Sequence, residues 1–305
     1  MPVPKTSSKV KNPLKKPVEK RKKKPVVKNT NKSSDKKISG SIITFNEEKT
    51  IAGALQSLDF CDEIVIVDSN STDKTHVIIK QFSSKFKKSR GPVIKVIQQK
   101  FLGYGPQKNF AVSKCSFNWI LSIDSDERVS PELRESIEKW GAELDDNETG
   151  AYVTSRRNFY IDRWIYKSGW YPDSRIRFFR KGWGKWADVQ VHELYENQKG
   201  KTGFLEGDLL HYSIMSLDAH IDNTNRFTTA AAKEAFERGK TSSILRIVFQ
   251  SIFTFIKMYF LKRGFLDGKA GFILASMSSY YTFAKYTKLW YLQHSKDVKN
   301  RDIGL

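Results

Sequence analysis

Three carboxylates crowd into four residues of the segment WILSIDSDERVS (119–130): Asp124, Asp126 and Glu127. Carboxylates this close repel one another at neutral pH unless positive charge lies among them. In extended backbone, residues i and i+2 face the same side, so Asp124 and Asp126 can point into one space. Two close carboxylates at the end of an apolar strand suit a hard divalent cation, Mg2+ or Mn2+. Such an ion keeps open coordination positions, and in an α/β crevice a diphosphate is the usual occupant. The alternative is a solvated turn in which Asp126 caps the next helix. Other residues with chemical potential are His192 and Glu193 in VQVHELY, the lone His211 in DLLHYS, and Lys108 near a helix start.

The elements that must position these groups follow from the apolar pattern. ISGSIITFNEEKTIAGALQSL reads as strand, loop, helix, and DEIVIVDSNSTDKTHVIIKQF repeats that order. The continuous run Ile64 to Val67 marks a strand covered on both faces. VIKVIQQ (93–99) is a third strand, PQKNFAVSKC a helix from about Pro106, and FNWILSID a fourth strand. SPELRESIEKW opens a helix with Ser130 as N-cap and Pro131 in the first position. Strands alternating with helices predict an α/β domain with a mostly parallel sheet covered on both faces. Ligands then bind beyond the carboxyl ends of the strands. Thr44-Phe45-Asn46, Asp68-Ser69-Asn70 and Asp124-Ser125-Asp126 all fall at such ends and should converge. Neither a G-x-G-x-x-G run nor a Walker lysine loop occurs, which argues against a standard dinucleotide site or P-loop. Residues 151–212 read as short strands and loops rich in Trp, Tyr, Arg and Gly.

The motifs SIITFNEEKTI, EIVIVDSNSTDKT, GYGPQKNFA and ILSIDSDERVSPEL, in this order and spacing, resemble GT-A fold glycosyltransferases of family 2. GWYPDSRIRFFRKG, VHE and LLH resemble more specifically the branch containing lipopolysaccharide core β-1,4-glucosyltransferases. The resemblance runs over about Ile38 to Leu292. It implies a Rossmann-like GT-A domain over residues 38–240; composition sets a basic tail (1–37) before it, and the apolar helical pattern a C-terminal helical, membrane-associating segment (241–305) after it. It also implies roles. Thr44, Asn46, Glu47 and Asp68 would hold the nucleotide, Lys108 and Asn109 would lie near the donor phosphates, and Asp124 near the ribose and metal. Asp126 would bind the divalent cation, Mn2+ or Mg2+, with His211 as a candidate third ligand beside Asp124. Glu193 would be the catalytic base in an inverting transfer, with His192 orienting it or binding acceptor; the two roles are exchangeable on chemistry alone. Trp170, Asp173 and Arg177 would touch donor sugar or acceptor. Many family members carry two successive aspartates where this chain has Asp68-Ser69, which leaves base recognition open. A nucleotide sugar, UDP-glucose first, is the expected donor, and a glycan or glycolipid on a membrane the expected acceptor.

Charge is uneven along the 305 residues. Residues 1–37 hold 14 Lys or Arg against Glu19 and Asp35, a balance of +12 within a total of +20. Such a tail has almost nothing to bury and is expected to lack a folded core. Anionic lipid or nucleic acid would attract it. No apolar run follows its charges, which argues against a secretory signal peptide. Cys61 and Cys115 lack metal-ligand spacing and read as small buried hydrophobes of a reducing compartment. Residues 244–261 form an apolar helix on which Arg246, Gln250 and Lys257 share one face. It can lie in a membrane interface, pack on the catalytic domain, or span; the cationic stripe fits the interface. The expected location is the cytoplasmic face of a membrane, peripherally bound. Three rivals compete with this reading: transfer to a polyprenyl phosphate, a basic nucleic-acid-binding protein with an inactive transferase-like domain, and a nucleotidyltransferase, against which the missing Gly-rich triphosphate loop counts.

Overall fold

The computed structural model describes residues 36–143, 148–188 and 194–299. Nearly all of the basic tail lies outside them, as do His192 and Glu193. The alternating half forms as expected: β1 (Ile38–Thr44), α1 (Ile51–Ser57), β2 (Glu63–Asp68), α2 (Thr75–Ser89), β3 (Val93–Gln98), α3 (Tyr104–Lys114) and β4 (Trp119–Asp124). These strands pair in parallel in the order β3-β2-β1-β4. β2 is buried at every position, the burial its apolar run demands, while β3 is the half-exposed edge. Helix α3 starts two residues before Pro106, because Gly103, at φ +102°, turns the chain there and its carbonyl accepts the Gln107 amide.

After β4 come β5 (Glu127–Val129) and α4 (Pro131–Glu143), the latter capped as predicted: Ser130 Oγ accepts the Leu133 amide at 3.2 Å. Residues 151–212 depart from the expectation of short strands and loops. β6 (Thr149–Tyr160) runs 12 residues and β11 (Lys201–Ile214) runs 14, with β7 (Arg163–Trp164), β8 (Asp173–Arg180), β9 (Gly184–Trp186) and β10 (Tyr195–Asn197) between them. Two features hid the long strands. Arg156 and Arg157 interrupt the apolar alternation of β6 because they face internal carboxylates. Gly207 breaks β11 at a bulge, where φ is +94° and an added Cβ would stand 2.2 Å from the Leu133 amide nitrogen.

The sheet continues β4-β8-β6-β11-β5. Only Ser125 and Asp126 join β4 to β5, yet three strands separate them in the pairing order. That part of the sheet must therefore curl round until β5 returns to the end of β4. This closure brings His211, opposite Glu127 in the β11–β5 register, back to the acidic turn. An aromatic core supports it: Trp119 stacks on Phe178 at 4.9 Å and meets Trp140 edge-on at 4.4 Å. Cys61 and Cys115 are buried and free, and burial pushes both thiols up, Cys115 to about 12. The chain ends in α5 (Leu217–Glu237), α6 (Ile244–Ile256), a π-helical turn (Lys257–Leu261), a 3₁₀ turn (Gly264–Asp267) and α7 (Gly268–Lys299).

Candidate active site

Strand register alone brings the first three polar clusters together. Thr44 lies opposite Asp68, and Ile43 opposite Asp124, so the loops after β1, β2 and β4 leave the sheet at one edge. The first two loops then lock to each other. Asn46, at φ +53°, donates its amide to Ser71 Oγ at 2.9 Å and accepts the Thr72 amide on Oδ1 at 2.8 Å. Asp68 accepts the Ser71 amide and hydroxyl. The Glu47 amide donates to Thr75 Oγ1, and its carboxylate accepts Thr50 Oγ1. Burial pushes the Glu47 carboxyl up; the Thr50 bond opposes that shift, and the nearby charges of Asp126, Asp73 and Asp124 add to it. The Thr44 hydroxyl is buried and has no hydrogen-bond partner among the described residues.

The positive charge the acidic turn needs comes from the protein. Lys108 Nζ lies 2.8 Å from Asp124 Oδ1, and Arg177 Nη2 lies 2.9 Å from Asp124 Oδ2. Lys108 is only 2% exposed and also lies over the Trp186 ring. Arg177 continues to Glu127 Oε1 at 3.0 Å, Arg156 shares that oxygen at 3.2 Å, and Arg156 reaches Asp173 at 2.7 Å. Signs alternate along this chain, so each buried charge meets its opposite. Burial pushes the Asp124 carboxyl up, but Lys108 and Arg177 outweigh it and hold the group well below the usual carboxylate range. Glu127 is lowered too: burial is overcome by Arg177 and, against the Asp124 charge, by Arg156.

Asp126 stands outside that network. Its Oδ2 lies 3.1 Å from His211 Nε2, while His211 Nδ1 meets Asn158 Oδ1 at 2.6 Å. Asn158 Nδ2 donates to the Trp170 carbonyl at 3.3 Å, which turns its Oδ1 toward the ring. Both ring nitrogens face acceptors, so Asn158 fixes a proton on Nδ1, while Nε2 donates to Asp126 or, once it gives up that proton, offers its lone pair to a cation. Burial lowers the imidazole pKa, and the Asp126 carboxylate more than restores it, so the net shift is upward. Among the described residues no three His, Cys, Asp or Glu side chains form a ready cage for a metal. Mg2+ and Mn2+ bound with a diphosphate do not need one, since one or two protein ligands suffice when phosphates and water complete the sphere. Asp126 and a neutral His211 fit that demand. Asp124, already held by two cations, fits the role of orienting carboxylate better than that of metal ligand.

A cleft of about 740 Å3 opens here, and its walls include Thr44, Glu47, Asp124, Asp126 and His211. The other candidates stand behind or beside it. Asn46 and Asp68 brace the loops, and Lys108 and Arg177 stand under Asp124. Asn109 spends both ends of its amide on the Trp186 backbone, at 2.9 Å each. Asp173 is ion-paired to Arg156, with Arg175 Nε 2.9 Å away. Trp170 packs edge-on against Tyr160. Sequence reasoning passed over Lys100, Phe101, Tyr104 and Arg226, which also line the cleft. The first three follow β3, so the strand-end rule that selected the other loops reaches them as well. Arg226 arrives from α5, a hundred residues along, with no local signal. Glu127 was visible as a carboxylate, but its buried partner Arg156 was not.

The family model described as glycosyl transferase family 2 matches residues 41–198. The lipopolysaccharide core biosynthesis glycosyltransferase LpsC of Rhizobium meliloti is 30% identical over 274 residues, covering 88% of this chain and 97% of that protein. An uncharacterized glycosyltransferase of Rickettsia typhi is 33% identical over 279 residues, covering 88% and 90%. Among solved structures, S. aureus TarS 1–349 in complex with UDP-GlcNAc aligns with a TM-score of 0.44 at 16% identity, over 86% of this chain and 92% of that one. The mannosyltransferase PcManGT from Pyrobaculum calidifontis, in complex with GDP-Man and Mn2+, aligns with a TM-score of 0.46 at 12% identity, over 87% and 81%.

Proposed function

We propose that this chain, which belongs to glycosyl transferase family 2, moves a hexose from a nucleotide sugar onto a glycan or glycolipid acceptor with inversion at the anomeric carbon. The observation that carries the reading is the Asp126–His211 pair, 3.1 Å apart and facing the cleft beside an Asp124 already neutralised by buried cations. Asp126 and His211 are the residues that would hold Mn2+ or Mg2+. The ion would neutralise charge growing on the departing nucleoside diphosphate. The chain's own residues have separate tasks. Thr44 offers a buried hydroxyl with no described partner to a nucleotide. Asp124, fixed by Lys108 and Arg177, presents a rigid acceptor for ribose or sugar hydroxyls. Asn158 holds the His211 tautomer. Asn46, Asp68 and Asn109 shape the pocket from behind, and Trp170, Asp173 and Arg177 support its wall.

The acceptor hydroxyl must lose its proton as it attacks the anomeric carbon from the face opposite the diphosphate. Glu193 is assigned as the base and His192 as its neighbour on family resemblance, since both lie outside the described residues. UDP-glucose is the first donor to try, and a lipopolysaccharide-core-like glycan the first acceptor, the latter a choice that the name of the LpsC relative supports. Such an acceptor suits an enzyme bound peripherally on the cytoplasmic face of a membrane.

A panel of nucleotide sugars assayed with Mn2+ or Mg2+, with and without chelator, tests the reading. Glu193→Gln should spare nucleotide binding and lower turnover by about a hundredfold or more. Asp126→Ala should weaken nucleotide binding itself. An active chain indifferent to both substitutions would overturn these roles.

A further inference from the structure

The α6–α7 contact includes hydroxyls beside the buried Ile247 of α6. Between the two helices lie hydroxyls: Ser279 Oγ donates to the Ser251 carbonyl at 2.8 Å, and the Thr254 and Thr282 hydroxyls meet at 3.1 Å. The outer face of α6 is apolar and open to solvent, with Leu245 69% and Phe249 66% exposed, and with Ile252, Phe253, Phe260 and Leu261 continuing the stripe. Small polar contacts inside and large apolar groups outside describe a helix pair whose surroundings are hydrocarbon rather than water.

Charge selects among the possible surroundings. From residue 238 to 296 the chain carries ten Lys or Arg and a single acid, Asp267. Asp267 is buried and fully engaged, accepting the Tyr166 and Lys167 amides and the Ser168 hydroxyl. The segment that carries the apolar stripe is therefore strongly cationic, and the exposed Lys257, Lys262, Arg263 and Lys269 follow its end. Anionic lipid headgroups complement that arrangement. A second copy of the chain would bring the same positive field against itself.

The fold also decides how α6 would meet a bilayer. Together with the π-helical turn, over Ile244–Leu261, it is long and apolar enough to cross one. Yet its far end is tied to the catalytic domain, where the Ser168 amide donates to the Lys262 carbonyl at 3.0 Å and Asp267 clasps the loop after β7. At its start, the Ser242 amide donates to Gln293 of α7, and α7 in turn reaches α5 through Lys288, which donates to the Asn225 carbonyl and the Thr228 hydroxyl. α6 therefore packs along α7, which is itself fastened to α5, and is joined to the catalytic domain at its far end.

We propose that the outer face of α6 and the turns at its end form a docking surface for an anionic bilayer, with the helix in the plane of the interface and Lys257, Lys262, Arg263 and Lys269 at headgroup level. The inference deepens the peripheral location in the functional reading and rests on that part of it alone. Its test contains no sugar donor, so a failed transfer assay does not decide it. The full chain is floated with vesicles of equal parts phosphatidylglycerol and phosphatidylcholine at high salt, where screening removes the pull of the basic tail. The native chain should stay on the vesicles. Phe249→Glu with Phe253→Glu should release it, lowering the partition by about tenfold or more. Both positions face solvent, so circular dichroism should be unchanged. Phe253→Trp should retain binding, with its fluorescence quenched by brominated acyl chains. Failure of the native chain to float, or equal flotation of the double variant, would overturn the proposal. So would a dimer of the native chain in solution that the double variant abolishes, which would make a second copy the occupant.

Discussion

At the scale of single residues, the site is a problem of charge disposal. Glu127 is buried and Asp124 is partly buried at the cleft wall, both among Lys108, Arg177 and Arg156. Removing one partner of a buried pair leaves an uncompensated charge, which costs about 3–5 kcal/mol. Lys108→Met leaves Asp124 with Arg177 as its remaining cation, so it should lower the free energy of unfolding by less, about 1.5–3 kcal/mol in urea titrations, and adding Asp124→Asn should recover part of it. Additive losses in the double variant would refute the coupling. The same network sets an acid limit. Both carboxyls titrate below their unfolded values near 4, so the folded state binds fewer protons than the unfolded state as pH falls. Their contribution to stability is complete above that range and drains away as pH drops through it. Urea midpoints from about pH 6 to about pH 3 should decline, and Asp124→Asn should flatten the decline. Sequence revealed the acids but not their counter-ions. Lys108 was expected near the donor phosphates and Arg177 near the sugar, not as partners of Asp124, and Arg156 and Arg177 lie on strands whose pairing no local pattern reveals.

At the scale of elements, the two halves of the chain differ in how openly they state their structure. β1 to β4 and their helices follow apolar runs and turn residues that act locally, and they were predictable in order and nearly in boundary. β6 and β11 were not, because each contains polar residues that serve the interior and β11 contains a bulge. Gly207 sits at that bulge with φ +94° and no room for a Cβ against Leu133. Gly207→Ala should lower stability by about 2 kcal/mol or more. It should also disturb the register that carries His211, so nucleotide affinity should fall along with the denaturation midpoint. A variant of normal stability and affinity would show that the bulge is not what sets the site. The cap of α4 was fully legible: Ser130→Ala should cost about 1 kcal/mol through loss of the bond to the Leu133 amide.

At the scale of the whole molecule, sheet closure converts a sequence pattern into a site. Two residues join β4 to β5, and the intervening strands are supplied by residues 149–214, so the acidic turn and His211 meet only when the second half has folded onto the first. A glycosyl transferase of family 2 could be recognised from its ordered motifs, but the Asp126–His211–Asn158 line could not, since its members are brought together by that closure. None of the site residues named above falls within residues 1–35. Removal of residues 1–35 should leave nucleotide affinity and unfolding unchanged, while a basic nucleic-acid-binding protein would lose its ligand with them.

The most direct test is calorimetric titration of UDP into the full chain, first with Mn2+ and then with chelator, repeated for Asp126→Ala. The account predicts that the ion tightens binding by about tenfold or more in the native chain and leaves the variant unaffected. Equal affinity with and without the ion, or an undiminished response to Mn2+ in Asp126→Ala, would contradict it.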